Sequence, residues 1–200
     1  LGEAVHCHGD AMMRRVAFDE AGGFDDTMIA GEEPGLSYRL RQRGWKLERI
    51  DAEMTWHDAD MTKFSQWWKR TIRSGHAYAE LADKHGQPPE RYCVDHVRSS
   101  IVWGLVAPAM TIVFAALSLL NLWFLSAVVL LMLLYVRQFL KITQWRRGEG
   151  DNGTDARRYA FFTVVSKLPL ALGILKYVRT KRSGEQPRLI EYKSEGALKS

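Results

Sequence analysis

Two hundred residues, 46% of them hydrophobic and 26% charged, suffice for one or two domains, and 28 Lys and Arg against 23 Asp and Glu give a net charge of +5. Two cysteines without CxxC spacing, Cys7 and Cys93, exclude a disulfide framework and fit a reducing compartment. No basic stretch leading into an apolar core follows Leu1, so no signal peptide is predicted and the N-terminus is expected to be a truncation.

In chain order, residues 3–8 read as a strand ending at Gly9-Asp10. Residues 14–21 have helical character and stop at Gly22-Gly23, a helix-ending signature. A loop through Phe24, Asp25 and Asp26 reaches Gly31. The spacing then predicts a helix over 32–43, with acids in its first turn, bases in its last and Gly44 beyond. Residues 45–50 alternate as a strand, and 53–56 continue it towards His57-Asp58. A long helix follows over 61–84, carrying Gln66, Trp67, Trp68, Lys69, Arg70 and Arg73. This mixture predicts an α/β class with too few elements to close a doubly wound sheet.

Residues 101–136 contain no charged side chain. As one helix they would measure about 54 Å at about 1.5 Å per residue, whereas a bilayer core of about 30 Å needs about 20 residues. Two spans are therefore expected, at 99–119 and 122–140, with the turn at Ser118 and Asn121 and Pro108 tolerated inside the first. A soluble helical hairpin would show a polar face, which this run lacks. Arg91 and Arg98 precede the spans, and Arg137, Lys141, Arg146 and Arg147 follow, which places both ends in the cytoplasm. A polar linker crosses 141–158. Residues 159–178 carry Lys167, Pro169 and Lys176 and lead into a basic tail that ends at residue 200, so an interfacial helix is expected, dipping Phe161, Phe162, Val165, Leu168 and Leu172, with a third span as the alternative. The clustered bases match segments facing an anionic leaflet. With no recognition motif beside them, nucleic acid is not an expected partner.

The ordered set Gly9, Arg14-Arg15, Gly22-Gly23-Phe24-Asp25, Glu32-Glu33, a 39–44 segment from Arg39 to its closing Gly44, His57, and a Gln66-to-Gly75 helix resembles the second half of a family 2 glycosyltransferase of the GT-A fold. The resemblance covers residues 1–85, with 86–98 as a juxtamembrane linker. Glu33 stands where the family has Asp, and Gln-Trp-Trp-Lys-Arg replaces the Gln-x-x-Arg-Trp of processive synthases. The resemblance implies inverting transfer of a sugar from a nucleotide sugar to a lipid-linked or glycan acceptor. It also implies Mn2+ or Mg2+, and a place in cell-envelope polysaccharide synthesis at the bacterial inner membrane. The DxD metal motif and nucleotide-binding half are absent from these residues, so the chain alone is expected to be inactive.

Within that reading Glu33, beside Glu32, is the expected base for the acceptor hydroxyl. Read locally, the pair only favours the first turn of a helix. His57 is implied as a metal ligand, imidazole suiting Mn2+ better than Mg2+, with a structural or acceptor-side histidine as the other reading. His6 and His8 share one strand face with no third ligand, which suits a structural role. Arg70 and Arg73, with Lys69, fall on one side of their helix and suit phosphate oxygens. Gln66 belongs to the same substrate set, and Trp67 and Trp68 suit a sugar ring or the membrane interface. Two other readings stand beside the enzyme: a non-catalytic membrane scaffold or partner subunit, and a lipid-binding module driven by the basic tail.

Overall fold

The structure is a computed structural model and describes residues 2–7, 10–52 and 61–184. Its elements are β1 (Gly2–Glu3), α1 (Arg15–Glu20), α2 (Glu32–Gln42), β2 (Glu48–Arg49), α3 (Phe64–His85) and α4 (Val94–Ile101). A π-helical segment (Val102–Val106) leads into α5 (Ala107–Leu117), followed by α6 (Phe124–Gly148), α7 (Gly153–Val165) and α8 (Lys167–Ser183).

The α/β expectation is overturned, and with it the GT-A half-domain. Helix accounts for 68% of the described residues and strand for 2%. The only sheet among them is antiparallel and two-stranded, pairing Gly2 with Arg49 and Glu3 with Glu48. The alternating patterns at 3–8 and 45–50 are present in the sequence, but two strands of two residues have no third strand to pair with and cannot form a layer. The predicted continuation at 53–56 lies outside the described residues.

The helices before the membrane segment build two small cores. Leu36 and Leu40 of α2 pack on Ala17 of α1 and on Ala21 just after it, covered by Met13, Phe18, Trp45 and Leu47. Met28, Leu81 and Tyr92 form the second, with Tyr38 and Cys93 against them. Gly31 enters α2 at a φ of 87°, and a side chain there would press on Leu81 and Ala77. Only glycine takes that backbone cheaply and lets α2 start directly on α3. Arg39 then returns to hold the preceding turn, donating to the carbonyls of Ala21 and Gly23. Asp25 is fastened to α3 by Lys84 at 2.8 Å, and Lys84 also reaches Glu80 at 3.0 Å.

α3 is amphipathic and buries Thr71, Gly75, His76, Ala77, Ala79, Glu80 and Leu81. Its seam with α8 brings backbone against backbone. A Cβ on Gly75 would collide with the Leu170 carbonyl, and one on Gly173 with that of Ile72. Gly104 meets α8 in the same way at Lys167.

Three helices are long and apolar enough to cross a membrane: Val94–Leu117, Phe124–Gly148 and Gly153–Ser183. The first runs through α4, the π-helical segment and α5, and starts five residues before the predicted 99. The turn falls at the predicted place, where the Asn121 side chain accepts from the Trp123 amide at 3.0 Å. The π-helical register displaces backbone carbonyls from their usual partners, and Tyr135 of α6 donates to that of Trp103 at 2.6 Å. The third helix is longer than the predicted 159–178. It begins where the Asn152 side chain accepts from the amides of Thr154 and Asp155, both at 3.0 Å.

Candidate functional site: a cleft at the start of the first apolar helix

α2, α3 and the segment leading into α4 enclose a cleft of about 1130 Å3. Glu32 and Glu33 line it from the first turn of α2, Arg70 and Arg73 from α3, and Asp95 and His96 from the first turn of α4. Residues far apart in sequence, from Glu32 to His96, thus share one space, because α2 begins on the face of α3 that carries Ala77 and Leu81.

The charges in this cleft divide into a paired set and an unpaired set. Arg41 is fixed: it donates to Glu90 at 2.5 Å and lies 5.9 and 5.8 Å over the rings of Tyr38 and Tyr92. Glu32 and Glu33 form no ion pair among the described residues, nor does Arg73. Glu32 Oε2 is buried without a hydrogen-bond partner. Leaving a charged oxygen dry and unpaired costs stability.

Burial also acts on other groups of the wall. Burial pushes the Cys93 thiol up to about 11 and raises the phenols of Tyr78 and Tyr92. Outside the lining, burial lowers His85, which stacks on Tyr38 with ring centroids 4.3 Å apart. Tyr78 stacks on His96 at 4.9 Å. Tyr78, Tyr92 and His96 thus share the cleft with four carboxylates and four guanidinium groups.

Of the residues singled out from sequence, the structure gathers Glu32, Glu33, Arg70 and Arg73. Gln66, Trp67, Trp68 and Lys69 do not line the cleft. The Gln66 side chain instead accepts from the amides of Thr62 and Lys63 at 3.0 and 2.9 Å, capping α3. His57 lies outside the described residues. Cys7 is tied to α2, its amide donating to Ser37 Oγ at 3.0 Å. A second cavity, of about 960 Å3, opens between residues 4–17 and 44–52. Among the described residues no three His, Cys, Asp or Glu side chains come together as a cation site. The implied ligand His57 lies outside the described residues, and so does the remainder of the implied metal site.

Comparison with family models, curated proteins and solved structures gives no match. The cleft stands on its own geometry.

Sequence reading missed Arg41, Tyr78, Glu90, Tyr92 and His96 as parts of this site. Arg41 was reachable, since Glu33, Ser37 and Arg41 repeat at intervals of four along one helical stripe. Glu90, Tyr92 and His96 sit in the stretch read as a linker, where no periodicity marks them.

Proposed function

We propose that this chain forms the acceptor side of a membrane-bound enzyme that transfers a sugar from a nucleotide sugar to a membrane-associated acceptor. One observation carries the reading: unpaired Glu32, Glu33 and Arg73 face a single cleft whose wall includes the start of the first apolar helix. Charges kept without partners at a structural cost are the kind that a ligand completes. Placed here, they meet an acceptor that approaches along the membrane surface.

In this reading Glu33 takes the proton of the acceptor hydroxyl as that oxygen attacks the anomeric carbon. The bond from that carbon to the donor diphosphate breaks, and its electron pair leaves with the diphosphate. Arg70 and Arg73 offer guanidinium groups to phosphate oxygens of the donor or of a lipid-linked acceptor. The donor nucleotide requires a site outside these described residues, which is part of the proposal. So is the placement of the cleft on the cytoplasmic face of an inner membrane. The resemblance over residues 1–85 supports the activity, while the α/β fold that accompanied it is set aside.

The test is turnover of a labelled nucleotide sugar by membranes carrying the complete enzyme. General-base catalysis contributes about 100- to 10,000-fold, or roughly 3–5 kcal/mol of barrier. Glu33→Gln is expected to lower kcat within that range and leave donor KM unchanged, with a smaller loss for Glu32→Gln. Normal turnover in both variants would end the catalytic reading of α2.

A further inference from the structure

We propose that α3 and the α7–α8 run form a two-helix platform lying on the membrane surface, its aromatic end seated among lipid headgroups and upper acyl chains. The platform is independent of sugar transfer.

Both of its helical arms are held on one side of the membrane. α3 runs beside residues 162–181 along its whole length. Trp67 meets Phe162 at 5.1 Å, Gly75 lies against Leu170, and His76 is edge-on to Tyr177 at 5.2 Å. At the far end Asp83 accepts from Tyr177 at 2.8 Å and from Lys181 at 2.5 Å. α3 precedes the first apolar helix and carries Lys69, Arg70, Arg73, Asp83 and Lys84, a content unsuited to a span. The first two apolar helices cross and return, which puts Asn152 back on the side of α3. A helix Gly153–Ser183 that crossed again would carry Tyr177 and Lys181 away from Asp83. It is long enough to cross, but its contacts hold it on one side.

The exposed surface at the aromatic end suits lipid. Phe64, Trp67 and Trp68 of α3 pack on one another at centroid distances of 5.1 to 6.3 Å, and Trp67 meets Phe162 of α7 at 5.1 Å, with Phe161 5.6 Å from Phe162. Phe64 remains 56% exposed, Phe161 54% and Phe162 42%. None of the five lines the cleft, so they do not form a stacking wall for a sugar held there. The rings meet tilted or edge-on and present an irregular apolar surface. Lys63 precedes the patch on α3, and Arg157 and Arg158 sit one turn before Phe161 and Phe162 on α7. Aromatic rings with a basic border match the boundary of an anionic leaflet.

The occupant is lipid because the patch is continuous with the membrane-facing surface. α7 bridges from Phe162 back to Tyr159, which meets Trp145 of α6 at 6.2 Å. At the other end of the bridge Lys167 donates to Ser99 Oγ at 3.0 Å, tying the platform to the start of the first apolar helix.

The experiment uses the full chain reconstituted in vesicles containing phosphatidylglycerol, with Cys7→Ser and Cys93→Ala. Spin labels are placed through Phe64→Cys or Phe161→Cys, with Leu130→Cys as the bilayer reference and Arg43→Cys as the water reference. Oxygen collisions should exceed nickel-chelate collisions severalfold at positions 64 and 161 relative to 43, at a depth shallower than 130. Water-like accessibility at 64 and 161 overturns the proposal. So does shielding from both reagents, which would show a protein partner on the patch. A second measurement keeps the native cysteines. Lipids brominated near the headgroup should quench part of the tryptophan emission, and Trp67→Phe with Trp68→Phe should remove that part. Unchanged shallow quenching in that variant counts against the platform.

Discussion

The seam between α3 and α8 and the hairpin of α5 and α6 are held in opposite ways. In the seam, glycines let two backbones touch, and polar groups are enclosed, with His76 1% exposed and Glu80 4%. In the hairpin no residue of α6 is buried, and the helices meet at Tyr135 with Trp103 and at Phe114 with Phe124. Both regions contain apolar helices, yet only the first uses protein as its solvent. Small residues placed among charged ones mark a helix that has a protein neighbour. Large aliphatic residues on every face mark one that meets lipid.

The sharpest way to break this contrast is to add volume. Gly173→Val drives a side chain into the Ile72 carbonyl, which no rotamer relieves. The expected cost is about 3 kcal/mol or more, at the upper end for overpacking, read as lost stability in detergent. Gly148, at the end of α6, has nothing near its Cβ position, so Gly148→Ala should be neutral or stabilising by up to about 1 kcal/mol. A tolerated Gly173→Val would mean that the two backbones do not touch at the seam.

Charge separates the regions next. Leu130→Asp in α6 should cost about 2.5–3.5 kcal/mol of membrane insertion, the penalty at the centre of a span. Leu172→Asp on α8 should cost about 1 kcal/mol or less if α8 lies at the surface, where such penalties fall away. Insertion efficiency of the two variants is the readout.

Acid should act on the seam and not on the hairpin. Burial, and then Lys176, lower His76 to about 4. A histidine with a depressed folded pKa takes its proton first in the unfolded chain, so stability is intact above about 6.5 and lost as pH falls towards 4. Glu80, raised by burial and 3.8 Å from His76 Nδ1, binds protons more readily when folded and offsets part of the loss. Between pH 7 and 5 the net fall should be about 1–2 kcal/mol, since each tenfold change in proton affinity is worth about 1.4 kcal/mol. His76→Gln should reduce it in denaturation curves, leaving the share of His85, which burial also lowers. The hairpin offers no comparable response, since residues 101–136 hold no Asp, Glu, His, Lys or Arg. The smallest effect expected is Leu130→Ala, within about 0.5 kcal/mol in the same curves, because an exposed side chain leaves no cavity.

The contrast also explains what could be read from the sequence. The helix predicted at 32–43 is α2, and that at 61–84 is α3 displaced by a few residues, because caps and periodicity are local signals. The uncharged run and its turn near Asn121 were equally plain. The strands failed because alternation states a preference and not a partner. Gln66 was read as a substrate contact and caps a helix, since glutamine suits both roles. The seam was not legible at all. Gly75, Gly104 and Gly173 look like ordinary helix glycines until their neighbours are known. The cleft was half legible. Its carboxylates and arginines came from patterns on single helices, whereas its wall at Tyr92 and His96 depends on how the chain returns after α3.

The side of the membrane on which α8 ends is the most direct test of the seam and of the platform built on it. Single cysteines are introduced at Arg43, Asn121 and Ser183 in the chain lacking Cys7 and Cys93, and sealed vesicles of known orientation are treated with a membrane-impermeant maleimide. Positions 43 and 183 should label from one side and position 121 from the other. Labelling of 183 together with 121 would show that Gly153–Ser183 crosses the bilayer, and would contradict a seam in which Asp83 holds Tyr177 and Lys181.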